Sequence, residues 1–111
     1  ADPENYRIEN RFPGADVNPY LSIAATLACG FLGMKNKVKP TKAYEGNAYE
    51  QDFDVPRNLE EALRGLQENS EITQIFGDKF IQLYTSIKLV EFEQFNQVIS
   101  SWEREHLLLN V

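Results

Sequence analysis

The stretch YRIENRFPG, residues 6–14, alternates apolar and charged side chains until it reaches a turn signal. An extended chain would carry Tyr6, Ile8 and Phe12 on one face, and Arg7, Glu9 and Arg11 on the other. A period of two residues is typical of a strand with one buried side. Pro13-Gly14 ends the pattern, because proline cannot donate to a strand ladder and glycine favours a turn. The sequence therefore predicts one strand over Tyr6–Phe12.

A helix is predicted directly after this strand. Asn18 can cap free N–H groups and Pro19 suits the first helical position. Apolar residues then continue at helical spacing as far as Gly33, a C-terminal stop signal. The alanines of this helix indicate close packing against another element, and we interpret Cys29 as a small buried hydrophobe.

Residues 35–57 show no periodic pattern and are predicted to form a long loop, which is unusual inside a compact domain. A short amphipathic helix follows, because Asn58 and Glu61 have the spacing of a capping box and apolar residues continue to Leu66. A segment of one to two turns is then predicted to end at Gly77.

The last prediction along the chain is one long helix over residues 78–108, with Asp78 as its cap. A helix of that length measures about 46 Å if it is unbroken, and a kink within it is the alternative. Lys88 lies three residues before Glu91 and is expected to pair with it. His106 falls near the end of this helix, where a cation is mildly favourable, and is interpreted as a surface residue.

Composition and charge exclude several classes of protein. The 111 residues are 42% hydrophobic, as in one ordinary globular domain, and the net charge of −6 gives no basic field for nucleic acid or an anionic membrane. A single cysteine and a single histidine cannot make an internal disulfide, a Cys/His zinc set or a convincing catalytic triad. The longest apolar stretch, residues 21–34, is too short to span a bilayer. We expect a cytoplasmic protein with no nucleic-acid or membrane partner.

The charged face of the predicted strand is the candidate site. Arg7, Glu9 and Arg11 would follow one another at intervals of about 7 Å. Two guanidiniums can bind phosphate oxygens while the carboxylate between them holds a hard divalent cation, which is the equipment for phosphoryl transfer. From spacing alone, a solvated charged face of an amphipathic strand is the commoner interpretation.

Longer motifs along the chain favour the site interpretation. Residues 7–16, RIENRFPGAD, and 18–21, NPYL, are similar to the motifs R-x-E-x-R-x-P and then A-N-P-Y-L of the glutamine synthetase family, in that family's own order. Residues 33–37, GMKNK, resemble G-I-K-N-K, and residues 58–63, NLEEAL, resemble S-L-E-E-A-L. Lys88, Glu91 and residues 102–104 match the family's closing helix. The resemblance covers essentially the whole chain.

The resemblance implies a fold and an origin. Residues 1–111 would be the C-terminal portion of a glutamine-synthetase-type catalytic domain, α+β but mainly α, with one strand followed by about four helices. The chain begins without methionine and runs at once into a pattern typical of the middle of a domain. We therefore interpret it as a fragment that lacks the upstream parts of that domain.

The resemblance also implies roles for the three charged residues. Glu9 would be a ligand of an active-site Mg²⁺ or Mn²⁺, Arg11 would contact the transferred phosphoryl group and the glutamate side chain, and Arg7 would contact the phosphates of ATP. The parent enzyme would be a homo-oligomeric ligase that joins glutamate to ammonia or a primary amine through a γ-glutamyl phosphate. The isolated fragment is predicted to be inactive, because the remaining ligands of the family are not in it.

Two finer points follow from the same resemblance. Residues 13–16 and 98–105 look more like the branch that makes γ-glutamylputrescine than like the ammonia-using branch. Tyr49 lies roughly where some bacterial members are adenylylated, but the residues after it differ, so an ordinary packed or surface tyrosine is favoured. The competing hypothesis is a helical interaction module that has kept the sequence without its chemistry.

Overall fold

The computed structural model describes residues 3–50 and 55–108 and is mainly helical. The chain divides into two compact units, Ala1–Ala43 and Tyr44–Val111. The first unit contains α1 (Pro19–Lys35), and the second contains α2 (Leu59–Glu68), α3 (Ser70–Phe76), α4 (Asp78–Asn96) and α5 (Ser101–His106). Single 3₁₀ turns lie at Pro3–Asn5 and Ala48–Glu50. The mainly helical prediction is confirmed, with five helices in the described residues where about four were expected.

The predicted strand is not found. Residues 6–12 are neither helical nor paired in a ladder, and no strand occurs anywhere in 3–50 or 55–108. A strand exists only where a second strand accepts and donates its backbone hydrogen bonds. Here Tyr6 N–H instead donates to Pro3 O at 3.2 Å and Phe12 N–H to the Asn10 side chain at 3.1 Å. Neither face is buried, since Ile8 is 87% and Phe12 is 85% exposed.

Helix α1 begins as predicted and ends later than predicted. Asn18 Oδ1 accepts hydrogen bonds from the backbone N–H groups of Tyr20 and Leu21 at 3.0 and 3.3 Å, and Pro19 is the first helical residue. Gly33 does not stop the helix, because a Schellman turn follows two residues after it. Val38 N–H donates to Gly33 O, and Lys37 takes the left-handed conformation with φ 52°.

The alanine face of α1 is only partly covered. Ala28 is buried and Ala24 is half-buried, whereas Ala25 is exposed. Cys29 is exposed as well, so its interpretation as a buried residue is wrong. The face of α1 that carries Ile23, Leu27 and Phe31 is more than half exposed at each of these positions.

Helices α2, α3 and α4 pack against one another and hold the core of the second unit. Leu63 and Ile81 are each 4% exposed, and Thr85 is 1% exposed. The buried Thr85 hydroxyl donates to Ile81 O at 2.8 Å and accepts from Gln67 Nε2 at 3.3 Å, which satisfies a polar group that would otherwise destabilise the core. The hydroxyl thereby links α4 to α2.

The start of α2 confirms the predicted cap. Asn58 Oδ1 accepts from Glu61 N–H at 2.8 Å, and the Glu61 carboxylate accepts from Arg57 N–H at 3.0 Å. The second short helix ends at Gly77 as predicted, with φ 85°. Asp78, however, is the first residue of α4 and caps nothing, since no side-chain hydrogen bond closes that helix start. Stacked rings bridge the α3–α4 junction, with Phe76 and Phe80 centroids 5.5 Å apart.

The single long helix over 78–108 is wrong, because two helices occupy this stretch. α4 ends at Asn96, and α5 begins at Ser101 after a short turn. Ser100 and Glu103 form a reciprocal capping box that starts the new helix. The predicted pair of Lys88 Nζ and Glu91 Oε2 is present at 2.6 Å. None of the helices in the described parts of the chain is long and apolar enough to cross a bilayer.

Candidate active-site segment

Residues 6–12, here called the charged segment, lie in the first unit and bring Glu9 and Arg11 together. Arg11 Nε donates to Glu9 Oε1 at 2.5 Å. The Glu9 side chain is 59% exposed and the Arg11 side chain is 86% exposed, so the pair faces solvent and contributes little to stability. Glu9 and Arg11 are thus direct neighbours, although residues 6–12 do not form a strand.

Arg7 is exposed, and within the described residues no hydrogen bond or ion pair joins it to Glu9 or Arg11. The structure therefore pairs two of the three predicted site residues directly, and Arg7 is not bonded to either of them.

A hydrogen bond that crosses to α1 anchors the charged segment. Asn10 Nδ2 donates to Thr26 Oγ1 at 2.9 Å, and Thr26 Oγ1 donates to Ser22 O at 2.9 Å. Asn10 Oδ1 accepts from Phe12 N–H at 3.1 Å, which closes a local turn around Arg11. The sequence-based prediction missed Asn10. Its signal was present, because Asn10 is a polar residue at a position that the alternation reserves for apolar side chains.

Glu9 supplies the donor type that Mg²⁺ and Mn²⁺ prefer, an exposed carboxylate. One carboxylate does not make a site, however, and residues 3–50 and 55–108 contain no group of three histidine, cysteine or acidic side chains that could hold a metal ion. One Glu9 oxygen is also engaged by Arg11. Glu9 therefore has the chemistry of one ligand for a divalent cation, and the described residues do not by themselves form a metal centre.

Charge is distributed unevenly along the chain. Residues 1–43 contain six Lys and Arg against four Asp and Glu, whereas residues 44–111 contain five against thirteen. The unit with the charged segment is therefore the basic one, although the whole chain is acidic. An anionic ligand such as a polyphosphate is better tolerated near the first unit than near the second.

Among the described residues of the second unit, three side chains have shifted pKa values, and each shift has a structural cause. The Arg57 backbone N–H lowers the pKa of Glu61, and the Ser100 backbone N–H lowers the pKa of Glu103. The hydrogen bond to Glu91 raises the pKa of Lys88. These groups cap helices or form an ion pair on a helix surface, so they belong to the scaffold.

Comparison with known proteins gives a family match over almost the whole chain. The family model described as glutamine synthetase, catalytic domain, matches residues 1–107. Glutamate–isopropylamine ligase of Pseudomonas sp. is 42% identical over 101 residues, which are 87% of this chain and 22% of that protein. Gamma-glutamylputrescine synthetase of Escherichia coli strain K12 is 36% identical over 99% of this chain and 24% of its own length.

A glutamine synthetase of Haemophilus influenzae is 40% identical over 86% of the chain and 22% of its own length. No solved structure gives a significant match. The chain thus spans about a fifth to a quarter of the length of the curated relatives that it matches.

Proposed function

Because this chain belongs to the glutamine synthetase catalytic-domain family, we propose that it forms the C-terminal part of the catalytic domain of an ATP-dependent ligase. That ligase joins glutamate to ammonia or a primary amine. The observation that carries the proposal is the exposed Glu9–Arg11 pair, which lies inside the residues that match the family. A carboxylate and a guanidinium 2.5 Å apart present opposite charges to one small volume, as a site for a metal-bound phosphate requires.

The proposed reaction has two steps. The γ-phosphoryl group of ATP passes to the γ-carboxylate of glutamate and ADP leaves. The amine nitrogen then attacks the γ-carbonyl carbon, the carbon–oxygen bond to the phosphate breaks, and the nitrogen loses a proton as the amide forms. A bound divalent cation would neutralise charge on the phosphate oxygens. Glu9 holds one coordination position for that cation, Arg11 donates to the transferred phosphoryl group and the glutamate side chain, and Arg7 donates to the nucleotide phosphates.

A primary amine is our preferred acceptor. Two of the relatives are named for isopropylamine and putrescine, and their identities to this chain are 42% and 36%. A relative named glutamine synthetase is 40% identical, so ammonia is the second candidate. Residues 13–16 and 98–105 favour the amine-using branch. We place the parent ligase in the cytoplasm as a homo-oligomer, by analogy with the family.

The test is a ligase assay on the polypeptide that carries this chain in its source cell. Its intact mass is measured first, and phosphate release is then followed with ATP, glutamate, Mg²⁺ or Mn²⁺ and a panel of ammonia, isopropylamine, ethanolamine and putrescine. We expect a mass several times the 12.8 kDa of this chain, and phosphate release that requires both glutamate and one of the amines.

The purified 111-residue chain is the matched control and should release no phosphate, because it supplies one metal carboxylate of a set. An intact mass near 12.8 kDa without glutamate-dependent turnover would reject the ligase and favour the interaction module. Turnover by the isolated chain would show that the groups placed outside it are not needed.

A further inference from the structure

We propose that Asn10 and Thr26 are positioning residues of the ligase, which hold Glu9 and Arg11 in the register that the metal and the phosphoryl group need. The proposal rests on the proposed function and adds two residues to it. Neither side chain is placed against substrate or metal. Both act through the backbone that carries the charged pair.

The direction of each hydrogen bond is fixed by chemistry. A threonine hydroxyl has one hydrogen to donate, and Thr26 gives it to Ser22 O at 2.9 Å. Thr26 can then only accept, so Asn10 must present its NH₂ group, and it does so at 2.9 Å. The Asn10 carbonyl oxygen is thereby turned towards Phe12 N–H, which donates to it at 3.1 Å. One hydroxyl on α1 therefore determines both contacts of Asn10.

Asn10 stands between the two functional residues, Glu9 and Arg11, in sequence. Fixing its side chain at both ends restrains the backbone on either side of it, at Glu9 and at Arg11. Packing does little to restrain the charged segment, because two of its own apolar side chains, Ile8 and Phe12, are 87% and 85% exposed. The hydrogen bond to the half-buried Thr26 gives the segment a partner on a 17-residue helix.

Catalysis needs this restraint, because a displacement of about 1 Å of a group that contacts the transferred phosphoryl costs up to a hundredfold in rate. A freely moving charged segment would leave the Glu9–Arg11 pair in many orientations. The Asn10–Thr26 contact selects one of them before substrate binds.

The experiment uses the polypeptide that carries the chain, with Thr26→Val as the main variant and Thr26→Ser as its conservative partner. Valine keeps the size of threonine and removes the hydroxyl, whereas serine retains it. Thr73→Val is the matched control, because the Thr73 hydroxyl makes the same bond to the carbonyl four residues earlier, Asn69 O at 2.9 Å, but lies in α3. Asn10→Asp is a second, independent variant that replaces the donor by an acceptor.

Two readouts are needed, namely hydrogen–deuterium exchange of the peptide that covers residues 6–14, and the Mn²⁺ concentration for half-maximal ligase turnover. For Thr26→Val and Asn10→Asp we expect several-fold faster exchange and a roughly five- to tenfold rise in that Mn²⁺ concentration, the size of a lost neutral hydrogen bond. For Thr26→Ser and Thr73→Val, the exchange rate and the Mn²⁺ concentration for half-maximal turnover should both stay within about twofold of the unsubstituted protein.

Any other combination of exchange rates and Mn²⁺ dependence would contradict one part of the proposal. Unchanged exchange in Thr26→Val and Asn10→Asp would mean that the tether does not restrain the segment. Faster exchange with unchanged Mn²⁺ dependence and turnover would make the tether purely structural, while the proposed function stands. If the unsubstituted polypeptide shows no glutamate-dependent turnover, the proposed function fails and the positioning role falls with it, and exchange alone then reports whether the tether exists.

Discussion

Arg11 engages Glu9 through Nε, which lies at the side of its guanidinium. The two terminal nitrogens project beyond that contact and can make a second, forked contact to a phosphate. One arginine can thus hold the carboxylate of the charged pair and bind an anion at the same time. A lysine has a single ammonium group and cannot do both with fixed geometry.

We therefore predict that Arg11→Lys in the full ligase lowers turnover by about tenfold or more, or about 1.4 kcal/mol of transition-state stabilisation. The Mn²⁺ dependence should change much less, because positive charge beside Glu9 is retained. Steady-state kinetics across a Mn²⁺ series measure both quantities. Arg64→Lys, a substitution of an exposed residue on α2, is the control. Equal kinetics in the two variants would indicate that the charged segment is only a solvated surface without a catalytic role.

Lys37 carries a backbone conformation that glycine adopts at lower cost. It is the left-handed residue of the Schellman turn after α1, with φ 52°. Lys37→Gly should raise the free energy of unfolding of the first unit by up to about 1 kcal/mol, because a side chain disfavours that region. Urea unfolding followed by circular dichroism measures it. Lys39→Gly is the control and should not stabilise the first unit. An equal fall in the urea midpoint of both variants would contradict the expected stabilisation by Lys37→Gly.

Prediction from sequence worked for residues whose partners are close in the chain. Asn18, Asn58 and the Lys88–Glu91 pair were all predicted, since each contact closes within four residues. Asn10 was missed because its partner, Thr26, lies 16 residues away, and an alternating pattern carries no information about which helix faces it. The alternation places Arg7 on the same face as Glu9 and Arg11, but it does not determine which of these exposed side chains pair with one another.

At the scale of elements, the end of α4 shows how an apolar stripe can mislead. Phe95, Val98, Ile99 and Trp102 continue at helical spacing across a turn in which the helix stops, so periodicity alone predicts one helix. The Ser100-x-x-Glu103 spacing is a helix start, and it decides the local structure because it satisfies N–H groups that a continuous helix would not leave free. The predicted strand was wrong for a different reason. Its alternating pattern is present in residues 6–12, but the described residues contain no second strand for it to pair with.

The capping box of α5 predicts a dependence on acid pH. The Ser100 N–H stabilises the ionised Glu103 carboxylate and lowers its pKa, so the stabilisation is complete above the ordinary glutamate pKa of about 4.3. It is lost as the pH falls through the lower pKa of the folded state. Trp102, the single tryptophan, lies in α5, and its fluorescence between pH 5 and 2.5 should report fraying of that helix.

Glu103→Gln should abolish this acid transition, whereas Glu105→Gln, in the same helix but outside the box, should preserve it. A transition of the same midpoint in all three proteins would show that some group other than Glu103 is being protonated.

For the whole molecule, the described residues leave much apolar surface uncovered. Ile23, Leu27 and Phe31 on α1 are 61%, 66% and 54% exposed, and Ile8 and Phe12 are more exposed still. Soluble monomers rarely expose contiguous apolar patches of more than a few hundred Å². The relatives are four to five times longer, which agrees with a chain whose apolar faces are covered by other parts of a ligase.

The purified 111-residue chain should accordingly self-associate in solution. Light scattering after size-exclusion chromatography, over a concentration series, should give a mass that rises above that of the monomer. Leu27→Gln should shift this rise to higher concentration, and Gln74→Ser, at an exposed polar site, should not. A strictly monomeric, cooperatively unfolding chain at every concentration would mean that these faces find their partners within the 111 residues.

The central claim is that Glu9 holds a catalytic divalent cation, and the most direct test is a Mn²⁺ titration of turnover in the full ligase with Glu9→Gln. Glutamine keeps the size of the side chain and removes the charge that binds the cation. Glu60→Gln, an exposed carboxylate of α2, is the matched control. We predict a rise of about tenfold or more in the Mn²⁺ concentration for half-maximal turnover, about 1.4 kcal/mol, in Glu9→Gln alone. An unchanged Mn²⁺ dependence in Glu9→Gln would contradict it.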